Sequence, residues 1–477
     1  MRNLFRPPSG PLSNDLVAAE RAVLAATPLS VAHAKELPFA VRDLSRLLTQ
    51  DRSQLSSSYW VNKRLLTAYC RYFLPWNLLR LAWLLPGLDL PLPEDGILLD
   101  LGSGPLTMPL ALWLAKPEWR SRPLTVVCGD VAPAPMNLGR DIFRHLAPDS
   151  PWKIEITRGP VEKILREFSR SASLVTAANV LNELKPSRET PLHQRLEDFV
   201  RRVAARLSPG GRFLAVEPGT RLGGKLMALI RRAGFASGLV PETPCPHWGP
   251  CPMLAERATG WCHFTHVAGG APHELAALTR KAGLEKDTLS ISCMLLRRAT
   301  DEETRRARTH LPDAPEDADD LFDDAEGDAE SLESWADAFA ASAPRDPDGA
   351  GKNAVRILSD PIRLPGHDAP ARYGCSARGL VLARNALRVP SGAAVTVLWP
   401  EKPERDAKSG ALLVVLPSPR DASPAPPETK PPRGTRGKAG HRDQSPPRRL
   451  RNDPNPNTLP HATAAKPRKP ATGGKGK

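Results

Sequence analysis

Apolar residues recur every three to four positions over residues 11–90, in "NDLVAAERAVLAA", "AKELPFAVRDLSRLLTQ" and "SSSYWVNKRLLTAYCRYFLPWNLLRLAWLL". That spacing predicts helices. The Arg- and aromatic-rich last stretch predicts packing against the next domain of the chain, with an RNA-facing helix as the alternative. At Gly96 the period changes. "GILLDLGSG", "LTVVCGD", "KIEITRG", "SASLVTAANVLNEL" and "RFLAVEPG" hold apolar strand runs, separated by helical stretches such as "PLTMPLALWLAK" and "APMNLGRDIFRHLA". Strand–helix alternation predicts an α/β fold with a parallel, doubly wound sheet. "HELAALTRKAGL" predicts a further helix and "TLSISCMLLRRA" a closing strand. Short β-rich runs then return in "AVRILS", "GLVLARNALRV", "AAVTVLWP" and "ALLVVLP". The pattern divides the chain into a helical N-terminal region (1–90), a sheet domain (91–300) with a Cys-rich insert (241–266), an acidic linker (301–350), a small β domain (351–417) and a tail (418–477).

Composition changes this picture at the ends. Net charge is +14 over 477 residues, but Leu311–Ala350 holds fourteen acidic residues and one basic. Ser418–Lys477 holds fourteen basic and four acidic. Both segments read as disordered. The remainder is more basic than the chain as a whole, which points to a polyanionic partner, most often nucleic acid. Seven Cys, an odd number in a long chain, are not a disulfide framework and suit a reducing compartment. The N-terminus has no continuous apolar run of a secretory signal, and "LLRLAWLLPGLDLPL" is too interrupted to span a bilayer.

"LLDLGSGP" sits where the first strand meets the first helix, the place where such sheets bind ligands. Its D-x-G-x-G pattern differs from the longer dinucleotide fingerprint. The second strand ends at Asp130, where an acidic side chain accepts from ribose hydroxyls. Together "DLGSGP" and "VVCGDVAP" resemble class I S-adenosylmethionine-dependent methyltransferases, with their Rossmann-like sheet. The resemblance implies that Gly102, Ser103 and Gly104 line the methionine and ribose, that Asp130 holds the ribose, that Asp100 orients the loop and that Asn179 borders the methyl donor. No Asn-Pro-Pro-Tyr follows the fourth strand, where "AANVLNEL" stands, and no nucleophilic Cys does. Asn182 and Glu183 are candidates by position alone, with a helix start as their ordinary role. No catalytic base is named.

"PCPHWGPCPMLAERATGWCHFTH" concentrates Cys245, Cys251 and Cys262 at C-x5-C-x10-C spacing, with His247, His263 and His266. A loop so rich in Pro and Gly holds its shape best with a cross-link, and a metal centre supplies one. Zinc knuckles use shorter spacings. Iron–sulfur clusters take four Cys thiolates, often one from far away. Cys375, in "ARYGCSARG", reads as a Gly-flanked turn free to reach the cluster. Its rivals are Cys293 and Cys128, in apolar strands, and Cys70, on an aromatic helix. The three His could also serve as ligands in place of a thiolate.

With "RILSDPIRLPGHDAPARYGC" downstream, these motifs resemble the methyltransferase-like family of mitochondrial small-ribosomal-subunit assembly factors and its bacterial relatives, over roughly residues 30–390. The resemblance implies a class I methyltransferase fold, a 4Fe–4S cluster on Cys245, Cys251, Cys262 and Cys375, and binding to small-subunit rRNA. The long acidic segment and the basic tail depart from the family. The expected protein is an rRNA-binding assembly or translation factor using S-adenosylmethionine and the cluster, monomeric when free, not membrane-bound, and cytoplasmic in a bacterium or else in the mitochondrial matrix. An active rRNA methyltransferase and a zinc-stabilised RNA-binding protein without cofactor are the competing readings.

Overall fold

The computed structural model describes residues 2–49, 60–93, 96–183, 190–254, 260–303, 353–364 and 370–416. The acidic linker expected at 301–350, beyond its first three residues, and the basic tail expected at 418–477 lie outside the described residues. All described residues fall within one structural unit.

The chain enters through a short strand, β1 (Arg2–Asn3), and four helices: α1 (Pro11–Ala26), α2 (Val31–Thr49), α3 (Lys63–Ala68) and α4 (Leu74–Leu84). A π-helical turn, Tyr69–Phe73, joins the last two. Helix α1 buries Leu16, Ala19, Ala22 and Val23, one stripe at helical spacing. Helix α4 is buried almost all round, as a helix covered on several sides must be.

The sheet domain comes next: β2 (Ile97–Leu101), α5 (Thr107–Ala115), β3 (Thr125–Asp130), α6 (Pro133–Leu146), β4 (Lys153–Arg158), α7 (Val161–Glu167), β5 (Ala172–Ala178), α8 (Leu192–Ala204), β6 (Leu207–Pro218), α9 (Arg221–Ala236), β7 (Leu239–Thr243), β8 (Phe264–Val267), α10 (His273–Lys281) and β9 (Thr288–Arg298). The strand order is β4-β3-β2-β5-β6-β9-β7, with β8 paired to β9. Strands β4 to β6 are parallel; β9 runs antiparallel to β6, β7 and β8. Near-continuous apolar runs such as "ILLDL" suit strands covered on both faces. One face packs against α1, α4, α5 and α6, and the other against α7, α8 and α9. This order is that of a class I methyltransferase sheet, and the fold is α/β as expected. Strands β7 and β8, which flank the Cys-rich loop, were not anticipated from its Pro-rich composition.

A second sheet comprises β10 (Ala354–Ile357), β11 (Arg372–Ser376), β12 (Gly379–Arg384), β13 (Ala393–Thr396) and β14 (Leu412–Val415), in the order β1-β13-β10-β11-β12-β14. Its outer strand β1 comes from the start of the chain, 390 residues away in register (Asn3 opposite Ala393). No apolar period announces a two-residue strand. Backbone pairing with an edge that would otherwise be open decides it.

Candidate functional site: a glycine-loop pocket and a cysteine junction

Strand order reverses at β2: the chain first builds outward through β3 and β4, then returns to place β5 on β2's other side. Such a switch point leaves a crevice beyond the carboxyl ends of β2 and β5. The loop after β2 occupies it. Gly102 has φ +66, and a Cβ there would lie 2.4 Å from Cγ2 of Val180, so both its conformation and its space demand glycine. The Ser103 amide donates to the Gly129 carbonyl (3.0 Å), tying the loop to β3. Asp130 accepts from the amides of Gly104 and Ala132, both at 3.0 Å. Burial raises its carboxyl, and those amides oppose the rise.

Asp100 is 1% exposed. Its Oδ1 accepts from the Thr176 hydroxyl (2.6 Å), its carbonyl accepts from the Ser103 hydroxyl (2.9 Å), and its Oδ2 has no hydrogen-bond partner. Burial pushes the Asp100 carboxyl up to about 7. Asn179 takes φ 58, a left-handed conformation that Asn tolerates better than most side chains, while its amide donates to Val216 (2.8 Å). Asn182 and Glu183 lie in a 3-10 turn, Leu181–Glu183, beside Asn179. The structure thus gathers Asp100, Gly102, Ser103, Gly104, Asp130 and Asn179 around one crevice. Sequence reasoning missed its cover. Trp60 lies 3.9 Å from a Cβ built on Gly104 and packs on Tyr69 at 4.8 Å between ring centroids. The charges of Glu183, Arg80 and Asp130 all reach the Tyr69 phenol, which burial holds well above its usual range.

The second constellation lies at the junction of the two sheets. Cys245 follows β7, Cys251 precedes a 3-10 turn, and Cys262 precedes β8. All seven cysteines are free thiols. Cys375 lies within β11 rather than in the Gly-flanked turn its neighbours suggested; Gly374 permits close approach there, since a Cβ on it would meet Val355 at 2.6 Å. Burial raises the thiols of Cys251, Cys262 and Cys375, and the Cys thiols raise one another further. Cys262 feels Cys245, Cys375, Cys251 and, last, Cys293. Cys128 and Cys70 are buried and do not act on this group. Among the described residues, no three His, Cys, Asp or Glu side chains already close on a point as a single ion would require.

Two guanidiniums flank these thiols. Arg231, 3% exposed on α9, donates to the carbonyls of His247 (3.1 Å) and Gly249 (2.5 Å), holding the loop between Cys245 and Cys251. Arg356 stands directly opposite Cys375 in the β10–β11 register. It donates to the carbonyls of Pro244 (2.9 Å) and Gly392 (2.8 Å). Burial lowers Arg356, and the thiols of Cys245, Cys293, Cys375 and Cys262 act against that. Among the described residues neither guanidinium has a carboxylate partner; the nearby acidic groups are thiols. Helical spacing with Met227 and Phe235 places Arg231 on the buried face of α9, a signal legible in the sequence. Of the histidines, His247 Nε2 lies 3.5 Å from Cys375 Sγ, and burial pushes its imidazole down to about 3. His263 stacks on Trp261, and His266 lies between Phe5 and Trp83.

Residues 92–309 match the family model of mitochondrial small ribosomal subunit Rsm22. The Rsm22 match takes in the methyltransferase-like sheet and the three clustered cysteines; it is a little under half of the 477 residues and ends before Cys375. No curated protein matches the chain. Among solved structures, an O-methyltransferase family protein from Burkholderia thailandensis is similar at 14% identity, over 59% of this chain and 73% of its own, with TM-score 0.31. A putative sarcosine dimethylglycine methyltransferase from Galdieria sulphuraria is similar at 17% identity, over 54% of this chain and 98% of its own, with TM-score 0.27. The strand order, not these alignments, carries the fold.

Proposed function

We propose that this chain is an rRNA-binding assembly factor of the small ribosomal subunit, with an S-adenosylmethionine pocket at the glycine loop and a four-thiolate 4Fe–4S cluster at the junction of its sheets. The observation that supports the reading is that Cys375, outside the Rsm22 match, lies near enough to Cys245, Cys251 and Cys262 for their charges to act on one another.

The donor set fits a metal centre. Four thiols with no disulfide stand near the buried Arg231 and the half-buried Arg356, neither of which has a carboxylate partner among the described residues. Buried cations without an anion cost several kcal/mol. Four thiolates around a metal centre of charge +2 would carry −2, matching Arg231 and Arg356. A single tetrahedral zinc would need the sulfurs drawn in around bonds of about 2.3 Å; a four-iron cluster is larger and spaces its thiolates further apart. When bound, the cluster would cross-link the loop to β11. The chain's own residues do the rest: Arg231 fixes the loop backbone, Arg356 anchors Pro244, and β11 presents Cys375.

At the other site, Gly102 and Gly104 would admit the donor's backbone approach, Asp130 would accept from its ribose, and Asn179 would border its methyl group. The orphaned Asp100 Oδ2 beneath the loop is consistent with an Asp100 that orients the loop. The basic charge of the chain supports an RNA partner, and the Rsm22 match supports the small subunit as its source. No helix among the described residues is long and apolar enough to cross a membrane.

Anaerobic purification with visible absorbance and metal analysis tests the centre: broad absorbance with about four irons per chain is expected, and a colourless zinc protein overturns the cluster. Competition binding tests the partner: small-subunit rRNA should outcompete an unrelated RNA of equal length, and equal affinity sinks the ribosome reading.

A further inference from the structure

Helix α4 carries Asn77, Arg80 and Trp83 three residues apart, so they share one face. Arg80 donates to Asn77 Oδ1, but its Nε is buried without a partner. Trp83 packs on the His266 ring of β8 at 4.4 Å between centroids, and Phe5 stacks on that same ring at 5.3 Å. Both His266 ring nitrogens and Trp83 Nε1 are buried with no hydrogen-bond partner. Lys286, half-buried between α10 and β9, adds a second cation: the carbonyl of its neighbour Asp287 accepts from the Ala268 amide (2.9 Å), at the end of the β8–β9 pairing that sets His266 opposite Leu289.

These groups form one electrostatic cluster. The Arg80 charge acts on Lys286 and on His266, and burial lowers all three. No carboxylate among the described residues acts on His266, Lys286 or Arg80; the one opposing group at Arg80 is the Tyr69 phenol. Half-buried cations held together without an acid are costly unless an anion arrives to join them. A guanidinium fork beside an ammonium and unused ring N–H groups suits an oxyanion with several acceptor oxygens.

We propose that Arg80, Lys286 and His266 form a binding site for a phosphate group of a nucleic-acid backbone. The choice of a nucleic acid over a small phosphorylated molecule rests on the proposed RNA partner; the phosphate itself does not.

The full chain is compared with Arg80→Gln, Lys286→Gln, the double variant, and a charge-matched control, Lys163→Gln with Arg166→Gln on α7. Thermal melts in inorganic phosphate and in chloride of equal ionic strength should show a phosphate-specific rise in the parent protein that the double variant loses and the control keeps. RNA affinity at fixed salt should fall about tenfold in the double variant, with a salt slope shallower by about two, because each phosphate contact releases counterions. Lys286→Gln without ligand should melt no lower than the parent, since it removes a cation that no acid among the described residues neutralises; a lower melting point would mark a packing role and overturn the site. The same RNA loss in the control would reduce it to net charge. Loss of phosphate response with unchanged RNA affinity would overturn the nucleic-acid ligand. Equal affinity for ribosomal and unrelated RNA would sink the ribosome reading and leave this site standing, because every RNA carries phosphates.

Discussion

The glycine-loop pocket and the cysteine junction differ in how far the protein satisfies its own charges. At the pocket, Asp130 already accepts two backbone amides and Asp100 is held by Thr176. Such a loop keeps its shape whether or not a ligand is present. At the junction, burial and neighbouring thiols raise Cys251, Cys262 and Cys375, while among the described residues neither Arg231 nor Arg356 has a carboxylate partner. Neutral thiols cannot compensate those cations; thiolates held by a metal can. One site holds its loop with its own hydrogen bonds; the other would be completed by the metal centre proposed for it.

The largest effects should come from the thiols. Cys245→Ser, Cys251→Ser, Cys262→Ser and Cys375→Ser should each abolish metal retention, read by metal analysis, because three thiolates cannot close a four-thiolate site. Cys293→Ser should keep the metal. Loss in Cys293→Ser with retention in Cys375→Ser would move the fourth ligand to β9 and break the link between the sheets.

Arg231→Met sharpens the comparison through its dependence on the metal. In metal-loaded protein it should cost about 3 kcal/mol, the scale for breaking a buried ion pair. In metal-stripped protein it should cost less, because only its hydrogen bonds to the loop carbonyls are lost and not a counter-charge. Denaturant unfolding of both forms reads the difference, and equal loss in both would make Arg231 a packing residue rather than a counter-charge.

Asp100 gives a pH signature with no counterpart at the junction. Its carboxyl titrates near 7 in the folded chain against 3.8 ordinarily. Between about pH 4 and pH 7 the unfolded chain ionises while the folded one stays protonated, so the stability Asp100 allows is greatest below pH 4 and falls as pH rises through 7. Asp100→Asn should flatten that fall, by a few kcal/mol at about 1.4 kcal/mol per unit. An unchanged stability–pH curve would show that Asp100 is ionised in the fold.

Gly102→Ala should cost the fold about 1–2 kcal/mol for a side chain at positive φ and more for the clash of its Cβ with Val180, and should remove S-adenosylmethionine binding measured by calorimetry. Absence of binding in the parent protein, with the metal centre intact, would make the pocket a relic and leave the junction as the working site.

How much of the molecule was legible varies by residue. The switch from helical to strand–helix alternation at Gly96 predicts the sheet, because apolar period follows directly from backbone geometry. "DLGSGP" predicts its own crevice, because glycine at positive φ has few other uses there. The Cys-rich loop stands out by the density of its thiols alone. Cys375 was reachable only through exclusion and resemblance, and its strand setting was misread as a turn, because Gly374 next to it serves close packing against Val355 instead.

The sequence by itself determined the local periods, the glycine turn and the clustering of three thiols, since each depends on residues near one another in the chain. Only the tertiary structure decided which distant groups share a volume. It set Arg356 opposite Cys375, brought Arg231 to the loop carbonyls, laid Trp60 and Tyr69 over the glycine loop, and paired Asn3 with Ala393. Contacts of that kind rest on burial and on the pairing of open strand edges, which no local pattern encodes.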